Sequence, residues 1–244
     1  MADKISDTYI LSIDFFYDFL AFLNYIFKQP IKRTLTGNIS RYDISALSDI
    51  FRNGERLKFM DEEKRWPVRS ENEVTYLTQI KITAEMLQLI YKRKKELRLS
   101  KNGNAFLFHL QPQFQYRAMV LSYWYQVNWE YFTSRQNESV FQKNLNYILK
   151  YFLSQRDKWI EFRPFCQSLK DYFHLENQYM HDQSDPDFNI RLDVHYDLIE
   201  RNLKLFGCVE TEEAKDELGI DDIIRFRSTA VGLWVYEEAL KQPF

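Results

Sequence analysis

Apolar residues recur every three or four positions along most of this chain, which is the spacing of amphipathic helices. The first apolar run, residues 9–28, is interrupted by Asp14, Asp18 and Asn24. Charged residues at the middle of a bilayer are costly, so this run predicts a helix buried in a protein core rather than a membrane span. Further helices are predicted over 41–51, 71–91, 112–133, 138–153, 164–173 and 191–207.

The helix predicted over 71–91 has the clearest signals. Ser70 and Glu73 have the spacing of a capping box at its start. In a DNA-binding unit this helix would be the natural recognition helix, but its outward lysine and glutamate cancel in charge. The expected buried face consists of Tyr76, Ile80, Ala84, Leu87 and Tyr91. The expected outward residues are Thr78, Lys81, Ile82, Glu85, Gln88 and Leu89.

Two stretches leave the helical period. Residues 97–100 alternate between apolar and polar, as a strand does, and residues 208–228 predict a second hairpin. An apolar helix start follows each of them. Ser100 precedes Gly103 by three positions at the first junction, and Thr229 precedes Gly232 in the same way at the second. Because glycine allows a close turn from strand into helix, these junctions form a weak internal repeat.

Composition agrees with a helical chain. Six glycines and six prolines in 244 residues are few, since the two together make up about 12% of average proteins. Scarce turn residues argue against a sandwich, a barrel or a Rossmann domain. A hydrophobic content of 45% excludes disorder. Cys166 and Cys208 give no disulfide framework, so we expect two reduced, partly buried thiols in a cytoplasmic protein.

Four stretches resemble a known family in their order along the chain. They are IKRTLTGNISRYDISAL, SENEVTYLTQIKITAEMLQLI, LRLSKNGNAFL and YWYQVNW. Together they resemble an uncharacterised bacterial family of winged-helix-like proteins associated with plasmid open reading frames. More loosely, they are similar to the winged-helix part of XPB-type helicase-associated domains. The resemblance covers residues 31–130, and more faintly 190–240, and it implies a fold but no catalytic residue.

These signals predict a mainly α fold with two small β-hairpins, arranged as tandem winged-helix-like units around an aromatic helical core. We expect an N-terminal apolar helix (1–30), a first winged-helix-like unit (31–110), a helical core (111–180) and a second winged-helix-like unit (190–244). The polar, turn-rich stretch 181–189 is the expected linker.

The net charge of −2 conceals an uneven distribution of charge. Residues 31–170 contain 24 Lys/Arg and 14 Asp/Glu, a net charge of +10, whereas residues 171–244 contain 7 and 17, a net charge of −10. This split indicates either two differently charged surfaces or two parts that attract each other.

The basic surface is concentrated in residues 92–101, which hold six Lys/Arg and one Glu. Such a wing can lie against a phosphate backbone and release its counterions. The alternative is a solvated turn that its lysines keep soluble. Arg98 and Lys101 are expected to flank the wing tip. The predicted nucleic-acid-binding residues are Lys81, Lys92, Arg93, Lys94, Lys95, Arg98 and Lys101.

Two other features have more than one interpretation. Residues 208–228 hold seven acids and three bases, so the second hairpin should repel phosphate. It could mimic DNA, bind a basic partner, shield the basic unit or be a solvated loop. The aromatic residues of 112–133, among them Tyr116, Tyr123 and Trp124, could stack on bases, but their helical spacing favours a core.

No constellation of residues identifies a reaction. Phosphate-binding loops, GxSxG and HExxH are absent from the sequence, and the spacing of His174 and His181 fits no metal motif. We expect no metal and no cofactor. The leading hypothesis is a non-enzymatic binding module that contacts nucleic acid through the basic wing and uses its acidic C-terminal part for protein contact or autoinhibition. The alternative is a protein-interaction or assembly subunit that packs on a partner protein or on its own copies without nucleic acid or a membrane.

Overall fold

The computed structural model describes residues 5–61, 66–132, 139–178, 185–215 and 221–242. The chain divides into two compact units, Lys4–Asn128 and Trp129–Phe244, called here the N-terminal and C-terminal units. Each unit combines helices with a three-stranded antiparallel sheet, so the predicted mainly helical fold with small hairpins is confirmed. None of the helices within the described residues is long and apolar enough to cross a membrane.

The N-terminal unit contains seven α-helices and five short strands within its described residues. Its three-stranded sheet has the order β1–β5–β4, and β2 pairs separately with β3. The elements are α1 (Asp7–Leu11), α2 (Asp14–Lys28), β1 (Ile31–Lys32), α3 (Arg41–Ser48), α4 (Glu55–Lys58), β2 (Phe59–Asp61), β3 (Trp66–Pro67), α5 (Thr75–Met86), β4 (Ile90–Arg93), β5 (Glu96–Leu99), α6 (Lys101–His109) and α7 (Pro112–Gln126).

The core of the N-terminal unit is aromatic and centres on α2. Phe16 meets Tyr116 of α7 edge to face, with ring centroids 5.5 Å apart. Phe19 meets Phe106 of α6 in the same way at 6.0 Å. The apolar run at the start of the sequence and the helix α7 therefore belong to one unit with the residues between them.

A buried carboxylate joins α2 to the turn between α3 and α4. Asp18 accepts hydrogen bonds from the backbone N–H groups of Arg52 (2.6 Å) and Asn53 (3.1 Å) and from the Tyr76 hydroxyl (2.8 Å). Burial raises the pKa of Asp18, and these hydrogen bonds act in the opposite direction because they favour the charged form. The side chain thus satisfies two backbone donors that the turn leaves without partners.

The C-terminal unit contains five α-helices and three strands within its described residues. Its sheet has the order β6–β8–β7. A π-helical segment, Val194–Lys204, continues α11. The elements are α8 (Val140–Lys143), α9 (Leu145–Gln155), β6 (Ile160–Glu161), α10 (Phe162–Phe173), α11 (Pro186–Asp193), β7 (Val209–Lys215), β8 (Asp221–Ser228) and α12 (Ala230–Ala239).

Aromatic rings also fill the core of the C-terminal unit. Phe152 of α9 contacts Phe226 of β8 at 5.6 Å and Tyr236 of α12 at 5.8 Å between ring centroids. Phe165 of α10 lies 5.1 Å from Phe226. The linker predicted over 181–189 lies partly outside the described residues, and α11 begins within it at Pro186.

The helix predicted over 71–91 is shorter than expected. A 3-10 turn covers Glu71–Glu73, α5 ends at Met86, and Tyr91 lies on the strand β4. The prediction was wrong at this end because Gln88 adopts a left-handed backbone with φ of 56°, which stops the helix. Leu89, expected to point outward, is buried.

Both three-stranded sheets lead into a helix through the same hydrogen-bonded junction. Ser100 Oγ accepts from Gly103 N–H (2.9 Å), and Thr229 Oγ1 accepts from Gly232 N–H (3.0 Å). Each hydroxyl also donates, at 2.7 Å, to a carbonyl at the end of the preceding helix, that of Gln88 or Gly207. The matching pairs agree with the Ser/Thr-x-x-Gly repeat seen in the sequence.

The helices that precede the two hairpins also end alike. Gln88 and Gly207 have left-handed backbones, with φ of 56° and 68°. The next residue donates its N–H to a carbonyl one turn back in the Schellman pattern, Leu89 to Ala84 at 2.9 Å and Cys208 to Leu203 at 2.9 Å. The repeat therefore extends from helix end through hairpin to the next helix.

Candidate nucleic-acid interface

The tip of the first hairpin consists of two lysines. Arg93 and Glu96 pair across the strands, which leaves Lys94 and Lys95 as the two-residue link. Both lysines are exposed, and neither pairs with a carboxylate among the described residues. The prediction that Arg98 and Lys101 flank the tip was wrong, because the hairpin turns at Lys94–Lys95.

Arg98 of the hairpin is paired with a carboxylate, and one basic residue that borders the hairpin was missed in the sequence. The Arg98 guanidinium lies 2.6 Å from the Glu96 carboxylate. Lys32 and Arg93 are exposed, without a carboxylate partner in the described part of the chain. Lys32 reaches the hairpin only through the pairing of β1 with β5, so no local sequence pattern could have placed it there.

Two further predicted residues lie beside the hairpin. Lys92 Nζ lies 3.1 Å from a carboxylate oxygen of Glu85, at the end of α5. Lys101 is the first residue of α6 and is exposed. The structure thus brings Lys92, Arg93, Lys94, Lys95 and Arg98 together on one hairpin, and places Lys101 directly after it.

Lys81 does not belong to this surface. Its ammonium group forms an ion pair with Glu71, and the side chains are only 16% and 2% exposed. Glu71 also accepts a hydrogen bond from the backbone of Ile39. The helical count that placed Lys81 outward could not detect an acid ten residues earlier, beyond the helix start.

Replacing Lys81 with alanine is expected to destabilise the fold. The change leaves the Glu71 carboxylate buried without its cation, which should cost about 3 kcal/mol of unfolding free energy. Chemical denaturation followed by circular dichroism measures the loss, and the exposed Lys101→Ala serves as a control that should lose less than about 0.5 kcal/mol. The double variant Glu71→Gln/Lys81→Met should recover much of the loss, and equal stability of Lys81→Ala and wild type would contradict this role.

The helix α5 offers few groups for reading bases. Lys81 is its only basic residue, and that residue is bound to Glu71. Glu85 is held by Lys92, and the exposed side chains include Thr75 and Met86. This face therefore provides neither a free cation for phosphate nor an arginine for guanine.

The second hairpin pairs two of its acidic residues with its own arginines. Glu210 pairs with Arg227, and Glu212 pairs with Arg225. The guanidinium carbons of Arg225 and Arg227 lie 4.9 and 4.7 Å from the Trp159 ring centroid. Asp216 and Glu217 lie outside the described residues. Within its described residues, this hairpin contains ion pairs rather than a series of unpaired acids.

Three of the aromatic residues of α7 belong to the core, as their spacing favoured. Tyr116, Tyr123 and Trp124 are fully buried. Rings enclosed in this way cannot stack on nucleobases, so the single-strand-binding interpretation of these three residues was wrong.

Few side chains in the described part of the chain are suited to catalysis or metal binding. Cys166 and Cys208 are buried thiols, and burial raises the pKa of the Cys166 thiol far above its usual value. Burial also lowers the pKa of His195. No three His, Cys, Asp or Glu side chains among the described residues could hold a metal ion, and His181 lies outside those residues.

Comparison of the chain with models of protein families, with curated proteins and with solved structures finds no match.

Proposed function

We propose that the N-terminal unit is a winged-helix-like module that binds double-stranded nucleic acid through the β4–β5 hairpin. Its elements follow the order of a winged helix: the helix α2, the strand β1, the helices α3 and α5, and the hairpin. The sheet order β1–β5–β4 places the last strand between the other two, as a wing requires. The segment with α4, β2 and β3 is an insertion between the two inner helices.

The C-terminal unit supports a tandem arrangement of the same fold. The helix α9, strand β6, helix α10, the long helix that ends at Lys204 and the β7–β8 hairpin follow the same order. The sheet order β6–β8–β7 matches that of the first unit. The shared Schellman ends and Ser/Thr-x-x-Gly junctions are further support for two related units.

The observation that carries the binding proposal is the set of four unpaired cations at the end of the first sheet where the β4–β5 hairpin turns. Lys32, Arg93, Lys94 and Lys95 have no carboxylate partner among the described residues. Cations free of internal partners can each replace a counterion on a phosphate backbone. The paired arginines of the second hairpin lack this freedom, so the proposal concerns the first hairpin only.

The backbone at Lys94 gives separate support. Its φ of 54° lies in the left-handed region, where a non-glycine residue costs about 1–2 kcal/mol. Glycine would relieve that strain but would remove a charge from the tip. A lysine at a position that favours glycine is consistent with a binding role for the charge.

The scarcity of base-reading groups on α5 indicates the kind of contact. Arginine and amide side chains on a recognition helix supply most direct base readout, and α5 presents no free cation. Contacts to phosphate position a protein without reading sequence. We therefore propose binding to the duplex backbone with little dependence on sequence.

Charge reversal at the tip tests this function. We expect Lys94→Glu/Lys95→Glu to weaken binding to a mixed-sequence duplex about a hundredfold at low salt, because two attractive contacts become repulsive. Fluorescence anisotropy with a labelled duplex measures the dissociation constant, and a second, unrelated duplex should give the same loss.

The matched control is Lys150→Glu/Lys158→Glu. Both lysines are exposed residues of the C-terminal unit, and the change in net charge is the same. This variant should lose less than about threefold in affinity, since long-range charge effects are screened by salt. Equal weakening in both variants would show a general charge effect and refute the assignment to the hairpin.

A further inference from the structure

The two sheets carry charged rows of opposite sign at the same place in the fold. In the N-terminal unit, Lys32, Glu96 and Arg93 lie directly opposite one another across β1, β5 and β4. The row therefore reads positive, negative, positive. It lies on the solvent side of the sheet, because the neighbouring row contains the buried residues Ile31 and Leu97.

The C-terminal unit has the inverse row. Glu161, Arg225 and Glu212 lie opposite one another across β6, β8 and β7, so this row reads negative, positive, negative. Its neighbouring row contains the buried residues Ile160 and Phe226. Every charge of the first row thus has its opposite at the corresponding position of the second.

The two rows also differ in the sign of the side chains that have no ion-pair partner in their own sheet. Glu96 is held by Arg98, which leaves Lys32 and Arg93 free of carboxylate partners in the described part of the chain. In the other row Arg225 is held by Glu212, which leaves Glu161 without a cation among the described residues. The residual charge is positive on the first sheet and negative on the second.

We propose that the sheet face of the N-terminal unit binds the sheet face of the C-terminal unit of a second copy of this chain. Both faces are available for such contact, because the four outer residues Lys32, Arg93, Glu161 and Glu212 are all exposed within one chain. Each row has like charges at its two ends, so the complementary rows match in either direction across the interface. Two identical faces would instead place like charges opposite each other, which costs free energy.

Because the two faces meet through exposed charges, the contact should be weak and salt-dependent. Exposed ion pairs contribute little individually and are screened by salt. Complementary charge mainly directs encounter and sets register. The self-association should therefore be weak, of head-to-tail type and sensitive to ionic strength.

A charge-swap series tests the interface in the absence of nucleic acid. Sedimentation velocity of the full chain at low salt is expected to show association that grows with protein concentration. Lys32→Glu/Arg93→Glu and Glu161→Lys/Glu212→Lys should each weaken it at least tenfold, because each makes the two faces alike in sign. The variant with all four substitutions should restore it, since it exchanges the charges and returns the net charge to that of the wild type.

The outcome is independent of the nucleic-acid proposal, because no nucleic acid is present. Lys150→Glu/Lys158→Glu should associate as the wild type does, and circular dichroism confirms that each variant is folded. If a charge-reversed variant does not fold, the corresponding alanine variant is used instead, either Lys32→Ala/Arg93→Ala or Glu161→Ala/Glu212→Ala. A wild-type chain that stays monomeric at all concentrations, or a fourfold variant that does not regain association, would overturn the proposal.

Discussion

Alanine at Gly103 or Gly232 is expected to lower the free energy of unfolding of the affected unit by about 3 kcal/mol. A Cβ atom at Gly103 would lie 2.2 Å from the carbonyl oxygen of Leu89, and one at Gly232 would lie 2.0 Å from that of Cys208. Both contacts are with backbone that also accepts a hydrogen bond, from Ser100 or Thr229. A methyl group fits at either position only if the start of the helix moves away from the carbonyl of Leu89 or Cys208.

Hydrogen–deuterium exchange measures these two losses separately. Gly103→Ala should accelerate exchange in the N-terminal unit, and Gly232→Ala should do so in the C-terminal unit, because each junction lies within one unit. Asn102→Ala adds no contact at an exposed position of the same helix turn and should leave exchange unchanged. Wild-type protection in both glycine variants would show that the junctions are looser than the close approaches indicate.

Asp18→Ala is expected to lower the free energy of unfolding of the N-terminal unit by about 3 kcal/mol. The change removes the acceptor of two backbone N–H groups, those of Arg52 and Asn53, and of the Tyr76 hydroxyl. The substitution Asp18→Asn should restore only part of this stability, since an amide presents two donors where the site needs acceptors.

Urea denaturation followed by circular dichroism measures the effect of Asp18→Ala. The exposed Asp49, at the end of α3, provides the matched control. We expect Asp49→Ala to stay within about 0.5 kcal/mol of the wild type. A similarly small loss for Asp18→Ala would contradict its role in holding the turn between α3 and α4.

Local patterns in the sequence were enough to predict the repeated junctions. Ser100 and Thr229 stand three residues before a glycine, and a side-chain cap acts over that same distance. The helix predicted over 191–207 also ends as expected, just before Gly207, which has a left-handed backbone. These features depend on neighbours within a few residues, so the spacing alone contains the information.

Features that depend on distant partners could not be predicted. Lys81 looked outward on a helical count, but Glu71 binds it. Lys32 lies beside the basic hairpin only through strand pairing with Glu96. The end of α5 was predicted too late in the sequence, because the residue that stops the helix is a glutamine. Gln88 has the left-handed conformation that glycine usually adopts. Ion pairs and strand pairing between distant residues decide which cations belong to the proposed binding surface. A single sequence does not specify these pairings.

The salt dependence of duplex binding tests the central claim most directly. If Lys32, Arg93, Lys94 and Lys95 each displace a counterion, the logarithm of the association constant should fall against the logarithm of salt concentration with a slope of about −3.6. Replacing Arg93, Lys94 and Lys95 with alanine should leave a slope of about −0.9. An unchanged slope in this variant, or wild-type affinity that does not respond to salt, would contradict binding through the hairpin.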